Sequence, residues 1–186
     1  MIIDLTLSLK KDNDVYIWAK QQENPYIALG HVGTHLDTYN KTKIPLEYFE
    51  SRGIVFKVQN KIAITLNDID IEQIKENDFV LFYTGSIEKY GYGSKEYFEN
   101  QPCLEHNLIH ELIKRRIRFI GVDCAGIQKG SEHEKIDRLC EDNGIYVIEN
   151  LVNLQNIHGE FCVYTLWFDD EIRTGLPCRV LVKQCE

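Results

Sequence analysis

The sequence predicts one mixed α/β domain, and three observations lead to that prediction. The chain has 186 residues, 44% hydrophobic and 27% charged, which suits a compact domain with a full core. Short runs of alternating apolar and β-branched residues recur along the chain and indicate strands. Stretches of helical periodicity lie between them, with no repeat or low-complexity linker. We therefore expect a single domain spanning residues 1–186.

The strands are predicted from apolar alternation and β-branched composition, and they dominate both ends of the chain. Turn-forming residues bound most of these runs. The predicted strands span residues 2–7, 54–58, 62–66, 79–83, 119–122, 146–148, 161–167 and 179–182. The core should therefore be a mixed β-sheet with helices on its flanks.

The helices are predicted from apolar residues at helical spacing. This spacing is present in residues 68–75, 104–115 and 132–141, and the last segment is followed by Asn143 and Gly144, a typical helix stop. A shorter helix is predicted over residues 44–53. Pro45 favours its first turn and Gly53 its end.

Charge and hydropathy exclude several classes of partner. The net charge is -8, and the largest basic cluster is KRRIR at residues 114–118, so a nucleic acid has no basic surface to bind. The first residues lack the basic region and long apolar run of a signal peptide. No apolar stretch approaches the ~20 residues of a membrane span. We therefore expect a cytoplasmic protein that binds neither nucleic acid nor membrane.

Most cysteines and histidines outside one short motif are predicted to be structural or solvated. The sequence has no C-x-x-C pair, and its cysteines stand at positions 103, 124, 140, 162, 178 and 185. We expect free thiols, several of them buried, rather than disulfides or a zinc ribbon. Cys124 could project from a strand end as a nucleophile, but no partner base is identifiable. His106 and His110 lie opposite an apolar helical stripe and should be solvated.

The stretch HVGTHLD, residues 31–37, carries side chains that bind metals. In a regular strand His31 and His35 would stand ~13 Å apart, and in a regular helix Asp37 would lie well around the axis. A bend at Gly33 and Thr34 could gather all three ligands. Imidazole and carboxylate without cysteine suit a catalytic zinc or manganese ion. The alternative is a polar turn that happens to be rich in histidine.

This stretch resembles the first part of the H-x-G-T-H-x-D-x-P-x-H signature of the putative cyclase family, which includes bacterial kynurenine formamidase. Further matching segments run the length of the chain: IIDLT, DFVLFYTG, IRFIGVDCAGI, GIYVIENLVNL and TGLPCRVLV. The resemblance implies a single-domain swivelling β/β/α fold and a divalent metal. It also implies a metal-activated water that hydrolyses a small amide, with formylkynurenine as the best-known substrate, and a homodimer or larger assembly.

The resemblance also implies a set of metal ligands. It assigns His31, His35 and Asp37 to a first ion, with Asp37 able to bridge to a second, and it assigns Glu149 as a further ligand. The family's second-metal histidine falls on Asp137, and His133 lies one helical turn earlier on the same face. Either residue could replace the missing ligand, or both could belong to a polar helix face. We therefore expect one tightly held metal and a weakened or absent second site.

Two departures from the signature affect catalysis. Tyr39 and Lys41 stand where the family has its proline and the final histidine that acts as general acid and base. Lysine, with a reference pKa near 10.4, is a cation at neutral pH, so Lys41 could stabilise an oxyanion or protonate a leaving group but would be a poor base. Tyr39 could supply a phenol donor, and Trp18 could line a substrate pocket. Each of the three could instead be solvated or simply packed.

Two functional hypotheses follow. The first is a metal-dependent, arylformamidase-like hydrolase that uses zinc or manganese to cleave a formamide or a cyclic amide. The second is a catalytically lapsed family member that keeps the metal turn for structure or for binding a small ligand. The position of Lys41 discriminates between them, because an amine inside the metal cavity favours the enzyme and an exposed amine favours the binding protein.

Overall fold

The computed structural model describes residues 1–185. Its strands are β1 (Ile2–Asp4), β2 (His35–Asp37), β3 (Glu50–Lys57), β4 (Ala63–Ile64), β5 (Phe79–Tyr83), β6 (Cys103–Leu104), β7 (Phe119–Val122), β8 (Tyr146–Glu149), β9 (Phe161–Trp167) and β10 (Gly175–Gln184). Its α-helices are α1 (Asp14–Lys20), α2 (Pro25–Gly30), α3 (Ser86–Tyr90), α4 (Lys95–Glu99), α5 (His106–Lys114) and α6 (Ser131–Asp142). Short 3₁₀ turns span Leu46–Phe49, Leu66–Asp68, Ile71–Gln73 and Leu154–Asn156.

A mixed, barrel-like sheet forms the centre of the fold. Its order is β10-β2-β8-β7-β5-β3-β9, and β9 pairs again with β10, which closes the ring. The run β3-β5-β7-β8 is parallel and the remaining pairs are antiparallel. Strand β1 pairs with the C-terminal half of β10, and β4 pairs with β6 in a separate small sheet. The long strand β10 therefore pairs with both β2 and β9 and closes the sheet into a barrel.

Two apolar clusters cover the two faces of this sheet. Alternate residues of β5 show the division: Phe79 and Leu81 pack in the cluster enclosed by the barrel, whereas Val80 and Phe82 pack with residues of α5 and α6. This two-residue alternation is the geometry of a strand that is buried on both faces. Each large apolar side chain buried in this way contributes about 1.5–3 kcal/mol of transfer free energy.

The mixed α/β fold class predicted from the sequence is confirmed. Strands β5, β7 and β9 have the predicted bounds. Helix α6 ends at Asp142, and Gly144 follows with φ 73°, so the predicted helix stop is also confirmed. The short helices α1 to α4 and the strand β6 were not predicted, because none is long enough to show a clear period.

Two predicted helices are wrong. Residues 44–53 form a 3₁₀ turn followed by the first part of β3, because Gly53 packs against the ring of Phe161 in the neighbouring strand. A Cβ at Gly53 would lie 2.0 Å from that ring, so the glycine allows close strand packing and does not end a helix. Residues 68–75 form 3₁₀ turns, in which the side chains of Thr65 and Asp70 accept backbone N–H bonds and favour short turns over a continuous helix.

Two further features concern the cysteines and the length of the helices. All six cysteines are free, as the sequence predicts. Across residues 1–185, no helix combines the length and the apolar composition that crossing a bilayer requires.

Candidate metal centre

The bend predicted in residues 31–37 is present. Helix α2 ends at Gly30, the chain turns through Gly33 with φ 78°, and β2 begins at His35. The hydroxyl of Thr34 donates to the carbonyl of Asn150 at 2.8 Å and anchors the bend to the end of β8. The ligand-type side chains thus come from an irregular turn that runs into a short strand.

A first group of ligand atoms comes from this segment alone. Nδ1 of His31 lies 3.1 Å from Oδ1 of Asp37, and Nε2 of His35 lies 3.5 Å from the same oxygen. The two imidazole nitrogens are 3.2 Å apart. The three side chains therefore point at a common centre, an arrangement that neither a regular helix nor a regular strand would produce.

A second group adds residues from α6 and β8. Nε2 of His133 lies 3.2 Å from Oδ2 of Asp137, 3.4 Å from Oε1 of Glu149 and 4.0 Å from Oδ2 of Asp37. The β2–β8 pairing places Glu149 directly across from His35, where Nε2 and Oε2 are 3.5 Å apart. Asp37 belongs to both groups. His133 therefore supplies an imidazole to the second group, one helical turn before Asp137.

Hydrogen bonds outside the cluster orient the imidazoles. Nδ1 of His35 donates to the carbonyl of Gly33 at 2.9 Å, and Nδ1 of His133 donates to the carbonyl of Gln128 at 3.2 Å. Since a carbonyl can only accept, both rings keep an unprotonated Nε2 toward the cluster when neutral. Nε2 of His31 contacts the hydroxyl of Thr174 at 2.9 Å, which leaves its Nδ1 facing the same centre. Such outer contacts are typical of metal-binding histidines.

Most carboxylate oxygens of the cluster are buried and accept no hydrogen bond. Both oxygens of Asp37 and Asp137 and Oε1 of Glu149 make no hydrogen bond within the described residues. Burial and the neighbouring carboxylates raise the pKa values of Asp137 and Glu149 well above their usual range. Burial also opposes ionisation of Asp37, but His35 and His31 lower its pKa below the usual range. Because buried polar atoms normally have a partner, these orphaned oxygens fit divalent cations.

A cavity of about 590 Å³ opens beside these ligands. It is lined by the polar residues His31, His35, His133 and Glu149 and by the apolar or aromatic residues Val15, Trp18, Tyr92, Phe98 and Ala125. Trp18 is 55% exposed, so the predicted pocket residue forms an open wall and does not pack in the core. Apolar walls around a few convergent polar groups are typical of small-molecule sites. A hollow of about 610 Å³ beside β3 and β9 is instead lined by residues remote from the cluster, such as Arg52 and Lys75.

Tyr39 lies between two of the histidines. Its ring stacks on His31, with centroids 5.8 Å apart, and meets the ring of His133 edge-on at 6.5 Å. Burial and the nearby carboxylates raise the pKa of Tyr39 far above 10, so its phenol stays protonated. Tyr39 lines a neighbouring cavity of about 520 Å³, which it shares with His133.

The structure does not bring Lys41 to the cluster. Glu141 of α6 accepts hydrogen bonds from the backbone N–H groups of Asn40 and Thr42, at 2.7 and 2.8 Å, on either side of Lys41. Lys41 itself has φ 56°, and its side chain is exposed. Cys124, by contrast, is buried, and burial raises the pKa of its thiol well above the usual range, which does not suit a nucleophile.

Sequence reasoning missed several residues around the cavity. Tyr92, Phe98 and Asn150 line it, yet none belongs to the recognised signature. The glycines on both sides of Tyr92 were the available signal, because they indicate a turn that presents a single aromatic side chain.

Comparison with protein families finds one match. Residues 3–129 match the family described as Putative cyclase. This range contains His31, His35 and Asp37 and ends before His133. No curated protein matches the chain.

Solved structures resemble the whole chain. A potential metal-dependent hydrolase with cyclase activity has a TM-score of 0.78 at 21% identity, over 100% of this chain and 98% of its own. Isatin hydrolase A from Labrenzia aggregata, bound to benzyl benzoate, has a TM-score of 0.77 at 21% identity, over 98% and 93%. A "predicted metal-dependent hydrolase" from Bacillus stearothermophilus has a TM-score of 0.71 at 21% identity, over 98% and 97%. At these identities the likeness shows a shared fold.

Proposed function

Because the chain belongs to the putative cyclase family, we propose that it is a metal-dependent hydrolase acting on a small aromatic amide. The observation that carries the proposal is the meeting of imidazoles with buried carboxylate oxygens that accept no hydrogen bond, beside a cavity lined by aromatic residues. The substrate we propose is a formamide, as in arylformamidases, or a cyclic amide. Isatin, which names one of the structural neighbours, is a cyclic aromatic amide.

We assign two metal positions that share Asp37. The first comprises His31, His35 and Asp37, and the second comprises Asp37, His133, Asp137 and Glu149. Zinc and manganese both accept imidazole and carboxylate ligands, and the carboxylate-rich second position favours manganese as the harder ion. A bound divalent ion supplies a Lewis acid and lowers the pKa of water toward ~7.

The protein's own groups then hold and orient the reactants. With an ion bound, Asp37 and Glu149 would be ionised ligands and would balance its charge. The carbonyl partners of His35 and His133 hold those two rings in position. Trp18 and Phe98 provide apolar surface for the aromatic part of a substrate. Tyr39 packs between two imidazoles and has a phenol proton available for donation. Lys41 has no part in this proposal, because its side chain is exposed.

A second candidate function is supported by the exposure of Lys41. The residue at the family's acid/base position is outside the cavity, which is what a catalytically lapsed protein that binds a small ligand would show. Such a protein would keep the metal and the aromatic cavity and would lack turnover. The two candidates therefore differ in activity and agree in metal content.

Metal analysis together with an amidase assay tests the proposal. The protein is loaded with Mn²⁺ or Zn²⁺, dialysed, and assayed on N-formylkynurenine, formanilide and isatin. We expect two bound equivalents and hydrolysis of at least one substrate. His35→Ala removes a ligand of the first position only, so it should abolish hydrolysis and leave about one equivalent of metal. His106→Ala, on the exposed side of α5, should change neither metal content nor hydrolysis. Metal binding without any turnover would favour the lapsed alternative, and absence of metal binding would overturn both.

A further inference from the structure

Tyr92 is held at the edge of the cavity by a turn that contains two glycines. Gly91 has φ 75° and Gly93 has φ 86°, both in the left-handed region. The turn packs against α1, since a Cβ at Gly93 would lie 2.4 Å from Cγ2 of Val15. The Tyr92 ring also meets the Tyr97 ring at 5.8 Å and 67°. The phenol is therefore positioned by packing from two sides.

The hydroxyl of Tyr92 makes one hydrogen bond within the described residues, and in that bond it is the acceptor. The backbone N–H of Gly33 donates to it at 2.7 Å. An N–H group cannot accept, so this contact leaves the phenol proton unused. By contrast, the hydroxyl of Tyr97 donates to Oδ1 of Asn150 at 2.6 Å and has no proton to spare.

We propose that Tyr92 is a catalytic residue that donates a hydrogen bond to the carbonyl oxygen of the substrate. The inference rests on the proposed amidase function. Tyr92 lines the same cavity as His31, His35 and Glu149, so its phenol and these ligands face the same space. A phenol, with a reference pKa near 10, keeps its proton at neutral pH and can donate without transferring it.

The electrostatics of amide hydrolysis explain what this donor does. The carbonyl oxygen gains negative charge as water adds to the carbon, so a donor placed there stabilises the transition state more than the ground state. The bond from Gly33 fixes the phenol before the substrate arrives. The two other candidates are less well placed, because Tyr39 lines the neighbouring cavity and Lys41 is exposed.

A comparison of Tyr92→Phe with Tyr90→Phe tests the proposal in the metal-loaded protein. Tyr90 belongs to the same segment but lines a different hollow. We expect Tyr92→Phe to lower kcat by about 10²- to 10³-fold, as loss of one oxyanion donor does elsewhere. KM should change by less than about threefold, because the donor acts mainly in the transition state. Metal content should stay constant, and Tyr90→Phe should match the wild type.

Two outcomes would overturn the assignment. An unchanged kcat in Tyr92→Phe would show that the phenol does not contact the reacting carbonyl. A lower kcat together with lost metal would show that Tyr92 only supports the bend at Gly33.

A binding measurement separates this inference from the proposed function. If the wild-type protein hydrolyses none of the amides, the proposed function is contradicted. The role of Tyr92 as a hydrogen-bond donor can still be tested with benzoate, because its carboxylate offers an oxygen to the same phenol. Calorimetry on the metal-loaded protein should then show benzoate binding about tenfold weaker in Tyr92→Phe than in the wild type, the effect of one hydrogen bond. Equal affinities, or no binding of benzoate to either protein, would overturn the assignment.

Discussion

At the scale of single residues, the backbone of Gly126 lies against the candidate metal centre. Gly126 has φ 116°, and a Cβ built on it would lie 2.5 Å from the His133 ring and 2.9 Å from Oε1 of Glu149. Any side chain here would push two proposed ligands apart. The absence of a Cβ is therefore part of the site's geometry.

We expect Gly126→Ala to lower manganese affinity by more than about tenfold, because a 1 Å shift of a ligand is enough to disturb a metal site. Calorimetric titration of the chelator-treated protein measures the effect. Gly159→Ala is the matched control, since Gly159 also has positive φ but a Cβ added there would meet no atom within 4 Å. Equal affinities in the two variants would show that the Gly126 contact is unimportant.

Asp123 is a buried acid that the proposed mechanism does not use. It accepts hydrogen bonds from the N–H and hydroxyl of Thr84 and from the N–H of Gly85, at 2.7 to 2.8 Å. Burial raises the pKa of Asp123 to about 6, although these hydrogen bonds lower it. The folded state therefore binds more protons than the unfolded chain between about pH 4 and 6, and stability falls as pH rises through that window.

Asp123→Asn removes this titration. The free energy of unfolding of the wild type, relative to Asp123→Asn, should fall by about 2–3 kcal/mol between about pH 4 and pH 7. Urea unfolding of both chelator-treated proteins across this range measures the difference. A difference that does not vary with pH would mean that the hydrogen bonds from Thr84 and Gly85 keep the carboxylate ionised at its ordinary pKa.

At the scale of elements, α6 connects the candidate metal centre to the turn that follows β2. One face of the helix presents His133 and Asp137 to the cluster. One turn further on, Glu141 is buried and accepts hydrogen bonds from Asn40 and Thr42. This clamp holds the chain just after Asp37 and leaves the Lys41 side chain exposed.

Glu141→Ala should lower the free energy of unfolding by about 2–4 kcal/mol, because several donors lose a charged acceptor. Denaturant unfolding with a constant m-value would measure the change. Glu132→Gln on the same helix removes an exposed ion pair with Lys135 and should leave the unfolding midpoint unchanged. A Glu141→Ala variant as stable as Glu132→Gln would show that the turn holds its shape without the clamp.

At the scale of the whole molecule, the proposed metal centre joins parts of the chain that are distant in sequence. The bend at residues 31–37, the helix α6 and the strand β8 each contribute ligand atoms. Divalent ions bound there would favour the folded state, because the unfolded chain does not hold these groups together. They would also remove the repulsion among the buried carboxylates.

Manganese should therefore raise the midpoint of thermal unfolding. At about 100 times its Kd an ion stabilises by about 2.7 kcal/mol, which corresponds to about 5–10 °C for a chain of this size. Thermal unfolding in excess Mn²⁺ and in chelator measures the shift, and His35→Ala, which removes a ligand of the first position, should make it smaller. Identical midpoints in Mn²⁺ and chelator would argue against a metal centre in the folded protein.

Local patterns in the sequence determined much of the fold and one half of the candidate site. Alternation in residues 79–83, 119–122 and 161–167 predicted three strands with correct bounds, because each pattern reflects a strand buried on one or both faces. The spacing of His31, His35 and Asp37 around Gly33 allowed them to converge, because one bend in a short segment is enough, and the resemblance of this stretch to the cyclase signature implied that they do.

Only the tertiary structure brought together the residues of the other half of the candidate site. His133 and Asp137 were open alternatives until the packing of α6 against the barrel brought both beside Glu149. Glu141 of the same helix holds the turn around Lys41, whose side chain is exposed. A separate contact, between the turn at Tyr92 and α1, holds the Tyr92 hydroxyl beside Gly33. These contacts join residues tens of positions apart, and their geometry depends on how strands pair and helices dock. The spacing of residues along the chain does not determine that geometry. The sequence could therefore identify candidate ligands but could not choose among them.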